Sequence, residues 1–177
     1  MTLRKMQHVF SLACVLLLCL FLTGCLTGRL TPATLTMDKK FDNSVSVVAN
    51  TKICLAFSGG RSSTLRSAIE NAIQKHGVFS NVVHAGTADY SLEVVETEQT
   101  LPVSFGDITS GLTWDWKLTR TQTQKVIWQE SIRSQVTATF GDSFFSWIAS
   151  VRMRHATDGA IRENIRIGLE KISALSI

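Results

Sequence analysis

An uncharged run of 14 residues, Val9 to Leu22, follows the basic start Met1-Thr2-Leu3-Arg4-Lys5 and stops at Leu22-Thr23-Gly24-Cys25. A short basic region, an apolar stretch of this length and small residues at its end are the parts of an export signal, whereas a bilayer-spanning helix needs ~20 apolar residues. Residues 1–24 are therefore expected to be removed and to take no part in the fold. What is left suits one domain in length. At 45% hydrophobic and 18% charged residues the chain has the balance of a globular protein. No internal repeat is visible.

The charge balance excludes one class of partner. Without Arg4 and Lys5 the 18 basic residues fall to 16, against 14 acidic ones, a formal +2. Nucleic-acid binding would call for Lys and Arg clustered on one face, and no such cluster is present. The same balance gives no polybasic patch for a membrane surface.

Leu22-Thr23-Gly24-Cys25 resembles the lipobox of bacterial lipoproteins, Leu-x-Gly-Cys behind a basic-then-apolar leader. The resemblance implies that the Cys25 thiol is alkylated by a diacylglyceryl group, that the leader is cut before it, and that the new amino group is acylated. Several acyl chains on one residue make a stable anchor, at ~0.8 kcal/mol per buried CH₂. Leu26 stands where the enterobacterial sorting pattern places a retaining aspartate, so the resemblance implies the outer membrane, on its periplasmic face. Cys14 and Cys19 leave with the signal, and Cys54 is then the sole thiol left after lipidation of Cys25, so no disulfide can form within the mature chain. Cys54 sits in the apolar run Lys52–Phe57 and reads as a buried, inert side chain.

The organisation expected is a signal at 1–24, a lipidated N-terminus and tether at 25–44, and one domain at 45–177. The tether has poor apolar periodicity and could span roughly 60 Å if extended. Val45–Val48 reads as an edge strand or the end of that arm. Lys52–Phe57 reads as a clearer strand. A helix is expected from about Ser63, with Leu65, Ala68, Ile69, Ala72 and Ile73 as its apolar stripe and Gly77 as a left-handed cap. Val78–Val83 is a short apolar segment. Tyr90, Leu92 and Val94 alternate with polar neighbours as in a strand, and so do Leu112, Trp114, Trp116 and Leu118. After Thr121–Gln124 a further strand from Val126 to about Phe140 completes a long antiparallel hairpin, with Glu130 and Ser134 interrupting its apolar parity. Asp142 is a candidate cap for Ser143–Val151, and a second helical stretch follows from Ala156. Gly159 and Gly168 within it cost helix propensity, which points to close approach on the sheet. The class is α+β: a two-layer fold in β-α-β-β-β-α order, with a mainly antiparallel sheet of about four strands and two helices on one face.

That order, behind a lipobox, is similar to the LPS-assembly lipoproteins and to the auxiliary lipoproteins of ABC-type lipid transport. Ala88-Asp89-Tyr90-Ser91-Leu92-Glu93-Val94 looks like the "ADYxLxV" strand opening of small Gram-negative envelope lipoproteins. Ala156-Thr157-Asp158-Gly159-Ala160-Ile161-Arg162-Glu163-Asn164-Ile165 looks like a helix of the same group. Neither segment is specific to a function, and no lipid-contacting residue carries over.

Candidates for chemistry are few. Ser58, Gly59, Gly60, Arg61, Ser62 and Ser63 form a strand-to-helix loop that could hold an anion through free amides and the helix dipole. The match to a phosphate loop is poor, and a turn with an N-cap explains the same residues. His76, His84 and His155 are not at metal-ligand spacing. Glu93, Glu96 and Glu98 read as a solvated outer face of their strand. Trp114, Trp116 and Trp128 share one face, either core or an open surface for an acyl chain or partner. The reading is an outer-membrane-anchored lipoprotein, not an enzyme, with no metal or cofactor. It acts as an accessory or assembly subunit that binds an envelope protein or a lipid. The alternative is an anion- or ligand-binding protein, or an enzyme, using the Ser58–Ser63 loop.

Overall fold

The computed structural model describes residues 40–50, 62–84, 87–100, 106–142 and 147–177. Its elements are β1 (Phe41–Asn50), α1 (Ser62–His76), β2 (Phe79–Val82), β3 (Tyr90–Thr100), β4 (Ile108–Arg120), β5 (Lys125–Ala138) and α2 (Ala149–Ser173). The fold is α+β. One five-stranded sheet runs in the order β2-β1-β3-β4-β5. The β3-β4-β5 part is antiparallel, while β1 is parallel to both of its neighbours. The strand count is thus one above expectation and the sheet is mixed.

Both helices cover the same face. Helix α1 lies on β1 and β2, and α2 lies on β4 and β5. Inward residues alternate along each strand, as the two-residue pleat requires: Val45, Val47 and Ala49 on β1, Tyr90, Leu92 and Val94 on β3, and Leu112, Trp114, Trp116 and Leu118 on β4. They meet Leu65, Ile69 and Ile73 of α1 and Ile161, Ile165, Leu169 and Ile172 of α2 in one core.

Strand β1 differs most from expectation. It begins at Phe41, and it is internal to the sheet instead of an edge or the end of an arm. Phe41 is buried against Phe79, ring centroids 5.5 Å apart, and Phe79 lies 6.1 Å from Tyr90. The polar Asp42-Asn43-Ser44 conceals the start of the strand, and parallel partners joined by a crossover leave no hairpin signal. The expected strand Lys52–Phe57, including Cys54, lies outside the described residues. The segment expected at Val78–Val83 is the short edge strand β2, set off from α1 by Gly77 at φ +63°.

The C-terminal helical pattern also resolves differently. Helix α2 is one continuous element of 25 residues starting at Ala149, and Ile148 caps it without a side-chain bond. Asp142 instead accepts the N–H of Thr139. What holds this helix is its packed face. A Cβ built on Gly168 would lie 2.7 Å from the Trp116 ring, and one on Gly159 2.8 Å from Val136. Both glycines therefore sit where helix backbone meets strand side chains, as their cost in propensity suggests.

Candidate functional site

Cys25 and Ser58, Gly59, Gly60 and Arg61 lie outside the described residues. Ser62 and Ser63 are the first two residues of α1. Trp114 and Trp116 are core residues and among the largest fully buried side chains, and Trp128 is partly buried against the same cluster. The tryptophan face is therefore closed by α2 and is not an open acyl-chain surface.

The seam between α2 and the hairpin is polar at its centre. The Trp116 indole N–H donates to Asn164 Oδ1 at 2.9 Å. The Asn164 amide donates in turn to the Ile132 carbonyl at 2.8 Å and to Ser134 Oγ at 3.3 Å. Ser134 Oγ donates to the Ala160 carbonyl at 2.8 Å. Every member is buried, and every member has a partner, the condition under which a polar network fixes a unique packing. Glu130 pairs with Lys171 of α2. Of the two residues that interrupt the apolar parity of β5, Ser134 is buried and bonded to the helix backbone, and the half-buried Glu130 is answered by Lys171.

Glu96 corrects the expectation of a solvated carboxylate face. Glu98 is exposed and Glu93 half-buried, where it pairs with Lys117 at 3.5 Å. Glu96 instead continues the inward parity of Tyr90, Leu92 and Val94, is 1% exposed, and stands directly across from Trp114. Among the described residues neither carboxyl oxygen has a hydrogen-bond partner, and neither does the Trp114 indole nitrogen. Burial pushes the Glu96 carboxyl above the usual range. A bulge follows between Glu96 and Glu98, after which the parity of the strand reverses. Counting by twos from Tyr90 finds the inward position of Glu96; its lack of a partner has no signature in the sequence.

Charge is also held between β1 and the start of β3 and on α1. Asp89 accepts both the N–H and the hydroxyl of Ser44 at 2.8 Å, and its own N–H donates to Ser44 Oγ at 3.1 Å. These bonds hold its carboxyl below the usual range. Asp89→Asn is expected to lower the melting temperature at pH 7 and to change it little near pH 2. A depressed carboxyl stabilises the fold above its unfolded pKa, and that stability is lost as pH falls through the folded pKa. An equal shift at both pH values would refute the role. On α1, the buried Glu70 accepts from Arg66 at 2.8 Å and lies 3.2 Å from His84 Nδ1. The His84 ring itself is largely exposed. Among the described residues no group of three or more His, Cys, Asp or Glu side chains could hold a metal.

The exposed large apolar side chains among the described residues are Val48, Val126, Phe140 and Trp147. Phe140 and Trp147 flank the connection from β5 to α2, and the Arg152 guanidinium stacks 3.9 Å over the Phe140 ring. No described helix is long and apolar enough to cross a membrane.

The fold has solved counterparts. The chain is similar in structure to the Xanthomonas campestris protein XCC0632 of family DUF330, with a TM-score of 0.60 at 11% identity over 82% of this chain and 90% of that one. It is similar to the hypothetical protein CT253 of Chlamydia trachomatis, with a TM-score of 0.57 at 7% identity over 75% of this chain and 96% of the other. It also matches a minor lipoprotein from Acinetobacter baumannii, with a TM-score of 0.50 at 12% identity over 80% and 94% of the two chains. At such identities the likeness is one of fold. No family model matches the sequence, and no curated protein matches it.

Both segments that resemble envelope lipoproteins have structural duties in this domain. Asp89 ties the start of β3 to β1, and Tyr90 is buried with its hydroxyl accepting from Arg120 at 3.2 Å. Gly159, Ala160 and Asn164 seat α2 on the hairpin. In the described domain these residues hold strands and helix together.

Proposed function

We propose that this chain is an outer-membrane-anchored, non-enzymatic lipoprotein, an accessory or assembly subunit that binds an envelope protein or lipid on the periplasmic side. The observation that carries this reading is Leu22-Thr23-Gly24-Cys25 at the end of a short apolar leader, ahead of a domain whose fold is shared with a minor lipoprotein. The filled core supports a binding surface over a lipid cavity: Trp114 and Trp116, the side chains best suited to an acyl chain, are spent on packing. The exposed pair Phe140 and Trp147 offers the domain's aromatic contact surface to a partner.

Anchoring is tested by Cys25→Ala. The wild-type protein is expected in the membrane fraction, with an N-terminal mass carrying acyl chains, and the variant is expected to lose both. Unchanged fractionation, with no acyl mass on the native N-terminus, defeats the reading. The partner surface is tested by a photo-crosslinker in intact cells. Position 147 should give a discrete adduct that position 131, on the polar face of β5, does not.

A further inference from the structure

Helix α1 covers β1 and β2 and α2 covers β4 and β5, so β3 lies beneath the junction of the two helices. Glu96 is on the inner face of that strand, and its cross-strand neighbour is Trp114. On adjacent strands such a pair has its Cβ atoms about 5 Å apart. Buried polar groups nearly always find partners, and a buried carboxylate without one is a costly object. Here two neighbouring side chains, an acid and an indole, are both buried with no hydrogen bond among the described residues. A neutral carboxylic acid can sit there at moderate cost; a carboxylate cannot.

The surrounding charges do not relieve it. Among the described residues the buried side chains of β1 are Phe41, Val45, Val47 and Ala49, and α1 packs Leu65, Ile69, Ala72 and Ile73 into the core, all apolar. On β4, Asp115 and Lys117 have the outward parity, as Glu93 does on β3, and Glu98 is exposed beyond the bulge. Glu70 of α1 is taken by Arg66 and His84. On α2, Arg152 is buried and stacks on Phe140, and Arg154, His155 and Arg162 act on Asp158. Arg166 pairs with Glu163 and Glu170, and Lys171 pairs with Glu130; none of these charges on α2 offsets the burial of Glu96.

We infer that Glu96 is a proton-linked catch: protonated, it keeps the end of the core beneath β3 and β4 closed, and its ionisation opens that end and brings Trp114 to solvent. The inference is independent of the lipid anchor. When the acid is more acidic in the open form than in the closed form, the opening constant rises tenfold per pH unit between the two pKa values and is flat outside them. The domain would then change shape with the acidity of its surroundings.

The full-length protein labelled with 5-fluorotryptophan tests this by ¹⁹F NMR from pH 4 to 9, with the Trp114 resonance assigned by Trp114→Phe. The expected result is a Trp114 signal that becomes accessible to a soluble paramagnetic agent as pH rises, while Trp116 stays protected and the accessibility of the partly buried Trp128 does not change. In Glu96→Gln, and in Glu96→Met should the amide not fold, Trp114 should stay protected throughout. Three outcomes overturn the inference: a Trp114 signal unchanged across the range in wild type, the same change in both Glu96 variants, or all buried tryptophans moving together as in global unfolding.

Discussion

Asn164→Ala is expected to destabilise the domain by about 3 kcal/mol. The substitution strands the Trp116 indole N–H and removes a donor from the Ile132 carbonyl, both inside the core. A buried group left without its partner costs about 1–3 kcal/mol. The helix propensity regained by alanine offsets only a few tenths of that. In urea unfolding the midpoint should fall by more than about 1 M at an m-value of about 2 kcal/mol/M, with the slope itself unchanged. Asn164→Asp gives the argument a sign. An ionised carboxylate can accept from Trp116 but repels the Ile132 carbonyl, whereas the neutral acid can accept from one and donate to the other. That variant should therefore be less impaired at pH 4 than at pH 7. A loss below about 1 kcal/mol for Asn164→Ala would mean that water replaces the amide and that the network does not hold the helix.

Gly168→Val should be comparably damaging, by about 3 kcal/mol, for the opposite reason. Here nothing is removed; a branched side chain is forced to within 2.7 Å of the Trp116 ring, or closer. The ring cannot swing aside without breaking its bond to Asn164. Overpacking of this kind typically costs about 1–3 kcal/mol, and valine adds two methyl groups beyond the clashing Cβ. Gly168→Ala should cost less, because alanine regains about 1 kcal/mol of helix propensity. Gly106 is the control: a Cβ there would meet nothing within 4 Å, and Gly106→Ala should leave the melting temperature unchanged. Urea midpoints for the three variants check the ranking. If Gly168→Val melts with the wild type, the close approach of helix and sheet is not tight.

The parts of this fold written most plainly in the sequence are those stabilised by local alternation or local punctuation. The Leu112–Leu118 parity and the polar Thr121–Gln124 turn announce the β4–β5 hairpin, and the apolar stripe with Gly77 announces α1. The glycines at 159 and 168 announce a close contact, and the contact is there. What alternation cannot reveal is pairing between strands far apart in the chain. The parallel partners of β1 depend on Phe41 meeting Phe79 and on Ser44 meeting Asp89, contacts 38 and 45 residues apart in numbering. The start of α2 escapes a sequence reading for a related reason: Asp142 has the chemistry of a cap, yet a turn at Thr139 claims it, and packing against β4 and β5 decides where the helix runs. Glu96 runs against expectation because a charged residue near a strand end normally faces water, and here the parity of the strand prevails over the preference of the residue. The expectations of an anion loop at Ser58–Ser63 and of lipidation at Cys25 rest on local motifs alone, and Cys25 and Ser58–Arg61 lie outside the described residues.

The place of β1 in the sheet sets an order of events for a chain made from its N-terminus. The first strand to emerge needs Tyr90–Val95 on one side and Phe79–Val82 on the other. Its hydrogen-bonding rows thus stay empty until tens of later residues have appeared. The hairpin of β4 and β5, by contrast, can zip as soon as its turn is free, because its partners are neighbours in the chain. On contact separation alone the β4–β5 hairpin is expected to form before β1 is paired. A chain made in this direction therefore holds β1 without its full set of partners until β3 has been made.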